Sequence, residues 1–184
     1  GETVDEILRQ PYYSAIRTEY EEKGYKPAED VEVIIDAKQQ VISSNGDIPV
    51  QDGIGDSNEP VLVWDENYDW FEWEVNIPKN GLYEIAVEYY PLKDASSPVR
   101  RALMIDGEIR FAEENNIVFD RMWTDEGEPK VNNIGDQVRP RQKEVPKWRT
   151  AALMDSEGMY SEPFVFYFNA GIHKINMSFI DQPV

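Results

Sequence analysis

The stretch DWFEWEVNIPKNGLYEIAVEYYP, residues 69–91, decides the fold class of this chain. In its first half the alternating residues are Phe71, Trp73, Val75 and Ile77 against Trp70, Glu72, Glu74 and Asn76. This period of two is typical of a strand with one buried and one solvated face. The second half alternates in the same way, with Tyr83, Ile85, Val87 and Tyr89 against Glu84, Glu88 and Tyr90. The two strands are predicted to pair as an antiparallel hairpin through Asn80-Gly81.

Short apolar runs separated by turn residues continue along most of the chain. The further predicted strands are VEVIIDA (31–37), VLVW (61–64), RRALMID (100–106), EIRFAE (108–113), NIVF (116–119), WRTAALM (148–154), PFVFYF (163–168) and HKINMSFI (173–180). About eight to ten strands with no helix between them indicate an all-β sandwich or barrel. Most of the aromatic residues in the opening stretch are therefore expected in the core, with the glutamates on the solvated face.

A helix is predicted only near the beginning of the chain, over residues 3–23. Tyr12, Ile16 and Tyr20 recur at four-residue spacing and form one apolar stripe. Pro11 is suited to open a helical segment and Gly24 to end one. The prediction is therefore a helical amino-terminal appendage over residues 1–30 and a β-sandwich domain over residues 31–184.

The charge of the chain restricts its partners. Of 184 residues, 36 are acidic and 18 are basic, which gives a formal net charge of −18. Such a field repels phosphate backbones and anionic membrane surfaces, so nucleic acid is excluded as a partner and neutral or cationic ligands are favoured. No apolar run approaches the ~20 residues that span a bilayer, which excludes direct membrane insertion. The chain has no cysteine, which excludes disulfides and thiolate chemistry.

Residues 120–147 interrupt the rhythm of strands. This long polar run has no alternation, contains three prolines and two glycines, carries Trp123 near its start and is followed at once by Trp148. Long loops inside compact domains tend to be functional or disordered. A disordered linker seldom keeps a tryptophan near each end, so we interpret the run as ordered and as the strongest local indication of a site.

Catalytic signatures are absent from the sequence. His173 is the only histidine, and its position within a predicted strand favours a structural role. No nucleophile elbow, P-loop, dinucleotide-binding or zinc-protease motif occurs. Acidic residues are plentiful, so a glycosidase with two carboxylates stays open by residue type, but the glutamates of strand 69–77 are explained as a solvated face. The chain is therefore interpreted as a non-enzyme.

Tryptophans and polar residues near the loops could instead bind sugars. Pyranose rings have apolar C–H faces that pack on aromatic rings, while polar side chains bond the hydroxyl groups. The candidate tryptophans are Trp64, Trp123 and Trp148, and the candidate polar partners are Arg100, Arg101, Asn132, Asn133, Asp136, Arg139 and Arg141. The alternative is that each tryptophan fills the rim of the sandwich.

A loop rich in oxygen ligands follows the first predicted strand. IPVQDGIGDSNEP, residues 48–60, offers Asp52, Asp56, Asn58 and Glu59, the ligand type that calcium prefers. Its spacing does not match an EF-hand. A charged surface turn is the competing interpretation.

Several phrases resemble known carbohydrate-binding modules. WFEWEVNIPKNGLYEIAVEYYPL (70–92), ALMIDGEIRFAE (102–113) and NAGIHKINM (169–177) are similar to modules of families six and thirty-five, which have the galactose-binding-like jelly roll. VFDRMWTDEG (118–127), VRPRQKEVPKWRT (138–150) and YSEPFVFYF (160–168) resemble the amino-terminal module of extracellular solute-binding lipoproteins of sugar ABC transporters in Gram-positive bacteria. The resemblance covers about residues 31–181.

The resemblance implies a fold, a location and a site. It implies a jelly-roll-like antiparallel β-sandwich at the cell surface, outside the membrane, that binds an oligosaccharide or polysaccharide and precedes the transporter-binding lobes of the same chain. The sugar site would lie at the loop-bearing rim, with Trp123, Trp148 and Arg139. A structural calcium ion would be held by Glu32, Asp36 and Asp181, although VEVIIDA replaces the usual E-A-E opening of these modules.

The resulting hypothesis is a non-catalytic carbohydrate-binding module of a sugar-uptake protein. The alternative is a structural or docking domain that packs on the rest of its own chain or on a partner without binding sugar, with the long loop as an interface.

Overall fold

The chain folds as mostly antiparallel β-structure with one short α-helix, as the alternation of its sequence predicts. The computed structural model describes residues 10–92, 96–125, 130–131, 137–138 and 142–184. The helix, α1, spans Tyr13–Glu22. The strands are β1 Val41–Ser43, β2 Val50–Gln51, β3 Val61–Leu62, β4 Trp70–Ile77, β5 Gly81–Glu84, β6 Ala86–Tyr89, β7 Val99–Ile105, β8 Ile117–Phe119, β9 Trp123–Asp125, β10 Lys130–Val131, β11 Gln137–Val138, β12 Gln142–Glu144, β13 Arg149–Ala152, β14 Val165–Phe168 and β15 Gly171–Asp181.

The largest sheet has five strands in the order β1-β4-β15-β7-β8, all antiparallel. The alternation predicted for β4 is confirmed, since Phe71, Val75 and Ile77 are buried while Glu74 and Asn76 are exposed. β7 alternates in the same way along its whole length. One face of this sheet is therefore the core face and the other is solvated.

Two strand pairs, β5–β14 and β6–β13, pack their apolar side chains into the same core as the five-stranded sheet. From these pairs come Tyr89, Phe166 and Phe168, and from the five-stranded sheet come Leu103, Ile105 and Met177 among others. The arrangement is that of an all-β sandwich. Shared burial of large side chains between the two layers is the main source of its stability.

The hairpin predicted through Asn80-Gly81 is wrong. β4 pairs with β1 and β15, which occupy both its edges, while β5 pairs with β14, so the chain changes layers at this turn. Gly81 has φ +153°, and a Cβ there would lie 2.8 Å from the backbone nitrogen of Ala28. Glycine is therefore required for the close approach of residues 26–28, not for a two-residue hairpin turn.

Two predicted strands are also wrong. Residues 31–37 form no ladder, since the β4 edge is taken by Val41–Ser43 and Asp36 opens a turn with the amide of Gln39. Residues 108–113 keep a single bridge, between Ile105 and Glu108, and lead into a 3₁₀ helix at Ala112–Asn115. Fifteen strands occur in the described residues, more than the sequence suggests, because several are only two residues long.

Helix α1 packs into the core through a stripe that differs by one residue from the prediction. Tyr13 and Tyr20 are buried and Ile16 is half-buried, whereas Tyr12 is 71% exposed. The Tyr13 amide donates to both carboxylate oxygens of Glu113, at 3.0 and 3.1 Å. This acidic group satisfies an otherwise unpaired donor at the helix start and opposes the helix dipole. Gly24, with φ +68°, follows the helix end as predicted.

The long polar run contains short strands that the sequence analysis missed. β9 pairs with β12 and β10 pairs with β11, so the described part of residues 120–147 includes two antiparallel ladders. Each ladder is a separate two-stranded sheet, and its strands of two or three residues are too short for a period-two pattern to mark them.

The division of the chain at residue 30 stays a prediction, although Tyr13 belongs to the main core cluster. Residues 3–9 of the predicted helix lie outside the described residues. Within the part that the structure describes, no helix is long and apolar enough to cross a bilayer.

Candidate functional site

Trp123 stands at the edge of a small concavity that we call the Trp123 pocket. Its volume is about 400 Å³, and its lining residues are Ser96, Pro98, Asp120, Arg121, Trp123 and Arg149. Trp123 is the first residue of β9 and is 42% exposed, an unusual exposure for a tryptophan. Because β9 pairs with β12 outside the two main layers, the core does not cover the ring.

One lining residue of this pocket, Arg121, belongs to a buried ion pair. Arg121 Nη1 donates to Glu144 Oε1 at 2.7 Å, and the two side chains are 1% and 3% exposed. Arg121 Nε also donates to the Ser97 carbonyl at 2.6 Å. The pair joins the segment just before β9 to β12, and the bond to Ser97 joins the same segment to the loop before β7. Breaking a buried pair of this kind is costly.

Further polar groups surround the exposed ring. Arg149, at the start of β13, makes one hydrogen bond to the described residues, from Nη1 to the Met122 sulfur at 3.3 Å. Asp120 accepts a hydrogen bond from the Tyr89 hydroxyl through its backbone carbonyl, which leaves its carboxylate for other partners. The pocket thus combines an apolar ring with charged donors and an acceptor.

A larger opening lies between the layers of the sandwich, and we call it the intersheet cleft. Its volume is about 770 Å³. Apolar side chains line its interior, among them Val87 of β6, Met177 of β15 and Ile85, which lies between β5 and β6. The aromatic residues that line it are Trp64, Trp73, Tyr89, Tyr90 and Trp148, and the charged residues are Asp36, Lys38, Asp56, Glu59, Glu88 and Arg101.

The predicted tryptophans Trp123 and Trp148 are not in one site. Trp148 lines the intersheet cleft, where its Nε1 donates to the Ile54 carbonyl at 3.0 Å and its ring lies 5.6 Å from that of Tyr90. Trp64 is only 5% exposed, its Nε1 donates to the Tyr68 carbonyl, and its ring packs against Phe71. Trp64 is therefore packed in the core beside the cleft, and its role as a sugar-stacking ring stays a prediction.

The predicted polar partners are also separated. Arg100 lies on the solvated face of β7 and donates to Asn116 Oδ1 at 3.1 Å, away from both concavities. Arg101 faces inward because successive residues of a strand point to opposite sides. The candidates Asn132, Asn133, Asp136, Arg139 and Arg141 lie outside the described residues.

Among the described residues, Arg101 is the largest fully buried side chain, at 2% exposure. Its guanidinium lies over the rings of Trp64 and Phe179, with its carbon 4.2 and 4.5 Å from their centroids. It donates to the carbonyls of Arg100, Asp181 and Gln182. Burial lowers the pKa of Arg101 to about 9, which the charge of Asp181 partly opposes, so the group is cationic at neutral pH.

The calcium ligands implied by the resemblance do not form a group. Asp36 is ion-paired with Lys38, Asp181 accepts from the Gln182 amide, and Glu32 is exposed. Among the described residues, no three acidic or histidine side chains are close enough to hold a metal ion, and this covers Asp52, Asp56 and Glu59. A calcium site stays a prediction without a ligand set.

His173 connects two turns. Its Nδ1 lies 2.7 Å from Asp106 Oδ2 and its Nε2 lies 2.7 Å from the Asn169 carbonyl. Burial raises the pKa of Asp106, but hydrogen bonds from His173 and the Lys174 amide outweigh it, so this pKa is lowered overall. These are the contacts of a structural histidine, as the sequence analysis proposes.

Arg121 and Arg149 line the Trp123 pocket and Glu144 pairs with Arg121, but none of the three was predicted from the sequence. A charged residue within FDRMW, between an apolar strand and a tryptophan, was the available signal for Arg121. The partners of these residues are distant in sequence, so no local pattern connects them.

Comparison with known proteins gives no family for this chain. No protein-family model matches it, and no curated protein matches it at a significant level. Its function is therefore argued from the geometry above.

Proposed function

We propose that this chain is a non-catalytic carbohydrate-binding module and that the Trp123 pocket is its sugar site. The observation that carries this proposal is that the Trp123 ring, 42% exposed, lines a concavity together with charged side chains, because such a ring offers an apolar face beside polar partners. A pyranose ring packs its C–H face on the indole. The fold proposed with this function is the galactose-binding-like jelly roll.

The polar groups around the ring suit sugar hydroxyls. Arg149 is half-buried and offers guanidinium donors, and Asp120 is exposed and offers carboxylate acceptors. Hydroxyl groups both donate and accept, so a site that contains both kinds of partner favours them. The buried Arg121–Glu144 pair fixes the position of Arg121, which lines the pocket, before a ligand binds.

The charge of the chain limits the sugar class. A net charge of −18 disfavours polyanionic glycans and favours neutral or cationic ones. The pocket is small and open to water, so we expect dissociation constants in the micromolar to millimolar range, about 4 to 8 kcal/mol. The proposed setting is the outer surface of a Gram-positive cell, as part of a sugar-uptake protein.

Scanning calorimetry against a panel of neutral, amino-sugar and acidic oligosaccharides tests the proposal. A ligand at about ten times its dissociation constant adds ~1.4 kcal/mol of stability, or roughly 2 to 4 °C in Tm. We expect a shift with one neutral or cationic class, no shift in Trp123→Ala and a partial shift in Trp123→Phe. Trp70→Ala, outside both concavities, is the matched control and keeps the shift.

Two further readouts complete the experiment. The glycan is recovered after incubation and its chain length is measured, since a binding module leaves it unchanged. If no glycan shifts the Tm at tens of millimolar, the proposal fails and the docking function gains. The exposed side chains of Ile34 and Met159, at 85% and 81%, are the observation that favours docking.

A further inference from the structure

The intersheet cleft contains one buried cation in a largely apolar interior. Its walls include Ile85, Val87 and Met177, and Arg101 belongs to the lining although it is 2% exposed. A charge at this depth has lost most of its hydration. It is stabilised only by the groups that contact it, so the identity of those groups decides whether the site is complete.

The contacts of Arg101 are incomplete. Nη1 donates to the Arg100 and Asp181 carbonyls at 2.8 and 2.9 Å, and Nη2 donates to the Gln182 carbonyl at 3.0 Å. Nε has no hydrogen-bond partner among the described residues. Among the described residues, the hydrogen-bond and ring partners of the guanidinium are thus neutral carbonyls and aromatic rings, and Nε is the nitrogen left without a partner. The Asp181 carboxylate acts on the guanidinium only through its charge.

A second buried arginine in the same molecule has an anionic partner. Arg121 is 5% exposed and forms a direct ion pair with Glu144 at 2.7 Å. Arg101 has no carboxylate within hydrogen-bonding distance in the described residues. Arg121 therefore has an anionic partner that Arg101 lacks among the described residues, and only Arg101 lines the larger cleft.

We propose that the intersheet cleft binds an apolar monocarboxylic acid, with its carboxylate on Arg101 and its apolar body against β6 and β15. A carboxylate supplies the acceptor that Nε lacks and the charge that the carbonyls do not provide. A cleft of about 770 Å³ is within the usual size range of small-molecule sites. This site is separate from the Trp123 pocket and does not depend on the sugar proposal.

The side chains at the rim of the cleft limit which acids it can bind. Asp36, Asp56, Glu59 and Glu88 are exposed there, and Lys38 is the only lysine among the described lining residues. Exposed charges are screened by salt, so they weaken the entry of one negative charge only modestly, but they oppose phosphates and polyacids. Ile34 and Ile35 extend the apolar wall into solvent, where they can cover the far end of an alkyl chain.

Calorimetric titration with decanoate and decan-1-ol tests the proposal on the intact chain. We expect saturable binding of one decanoate per chain, at least about tenfold tighter than decan-1-ol, because only the acid pairs with Arg101. Equal affinities for the acid and the alcohol would overturn the proposal, as would no binding of decanoate.

Two substitutions locate the site. Val87→Trp fills the cleft without touching Arg101 and is expected to weaken decanoate binding at least about tenfold, while Ile172→Trp, at an exposed position of β15 outside the cleft, leaves it unchanged. Unchanged binding in Val87→Trp contradicts the proposal. Arg101→Gln is expected to abolish the preference for the acid. If that variant fails to fold, the proposal is still tested by the ratio of the affinities for decanoate and decan-1-ol and by the effect of Val87→Trp on decanoate binding.

Discussion

The two ends of the sandwich interior are built from similar aromatic residues but are closed to different degrees. At the end covered by α1, the Tyr13 ring lies 4.6 to 5.1 Å from the rings of Phe164, Phe111 and Tyr160. At the other end, Trp148 and Tyr90 line a cleft of about 770 Å³. The layers alone do not fill the interior, and it closes only where a further element contributes a ring.

The same contrast holds for the backbone. At the covered end, the amides of Val165 and Tyr167 on the free edge of β14 donate to the hydroxyls of Tyr13 and Tyr20, at 2.9 and 3.3 Å. One helix therefore fills the core and protects a strand edge. At the cleft, residues 31–37 have a strand-like sequence but form no ladder. The contacts of α1 at the covered end stabilise the fold, whereas the open end has space for a ligand.

The largest effect is expected when the ring that closes the covered end is removed. Tyr13 is 1% exposed, so Tyr13→Ala leaves a cavity and an unpaired Val165 amide, and it should cost about 3 to 5 kcal/mol. The free energy of unfolding in urea measures this. Tyr12→Ala, on the adjacent exposed tyrosine, is the control and should stay within about 0.5 kcal/mol. Similar costs for the two variants would contradict the role given to α1.

The two ends differ in free space, so a larger side chain should cost more stability at the covered end than at the cleft. Phe164→Trp, at 0% exposure in the covered end, should cost about 1 to 3 kcal/mol because nothing can move aside. Val87→Phe, in the cleft, should change the free energy of unfolding by less than about 1 kcal/mol. Urea titration of both variants is the measurement. An equal cost at the two positions would show that the cleft is closed in solution.

The covered end should also make stability depend on pH through Glu114, which is fully buried. Burial raises its pKa to about 8, against opposing effects of the Arg110 amide and charge, while Glu113 adds to the increase. The folded state therefore holds a proton that the unfolded state releases above about pH 4.5. This group contributes a loss of stability as pH rises from about 4.5 to 8, with the full loss present above pH 8.

Glu114→Gln keeps an acceptor for the Arg110 amide, 3.0 Å away, but cannot ionise. Relative to the native chain, we expect the variant to gain about 1 kcal/mol per pH unit between pH 5 and 8 and to level off above. Urea unfolding at several pH values checks this. A constant difference across the range would mean that Glu114 is ionised in the folded state throughout.

The strands themselves could be predicted where one face is buried. The alternating burial along β4 and β15 follows directly from the period of two. The same rule explains why Leu103 on β7 is buried and the next residue, Met104, is half-buried. Pairing could not be predicted, because the partner of a strand depends on the whole layer. The chain crosses between layers at Gly81, where the local signal is that of a hairpin.

The sequence proposed tryptophans as candidate site residues, but it could not show which of them are exposed. Trp123 is exposed and Trp64 is buried, although both precede or follow short polar turns in similar sequence contexts. What distinguishes them is tertiary contact. Trp64 packs on Phe71 and Arg101, whereas Trp123 lies on a ladder outside the core. Similarly, the pair between Arg121 and Glu144 spans 23 positions and has no local signature.

The most direct test of this account is a titration followed by the five tryptophan indole N–H signals in an NMR spectrum. The indoles of Trp73 and Trp148 donate to backbone carbonyls at the cleft, and Trp123 lies in the other pocket. Each signal is assigned with a Trp→Phe variant. We predict that the bound glycan moves the Trp123 signal and leaves those of Trp73 and Trp148 in place. If every glycan of the panel leaves Trp123 unmoved, or moves only the cleft tryptophans, the sugar site proposed here is wrong.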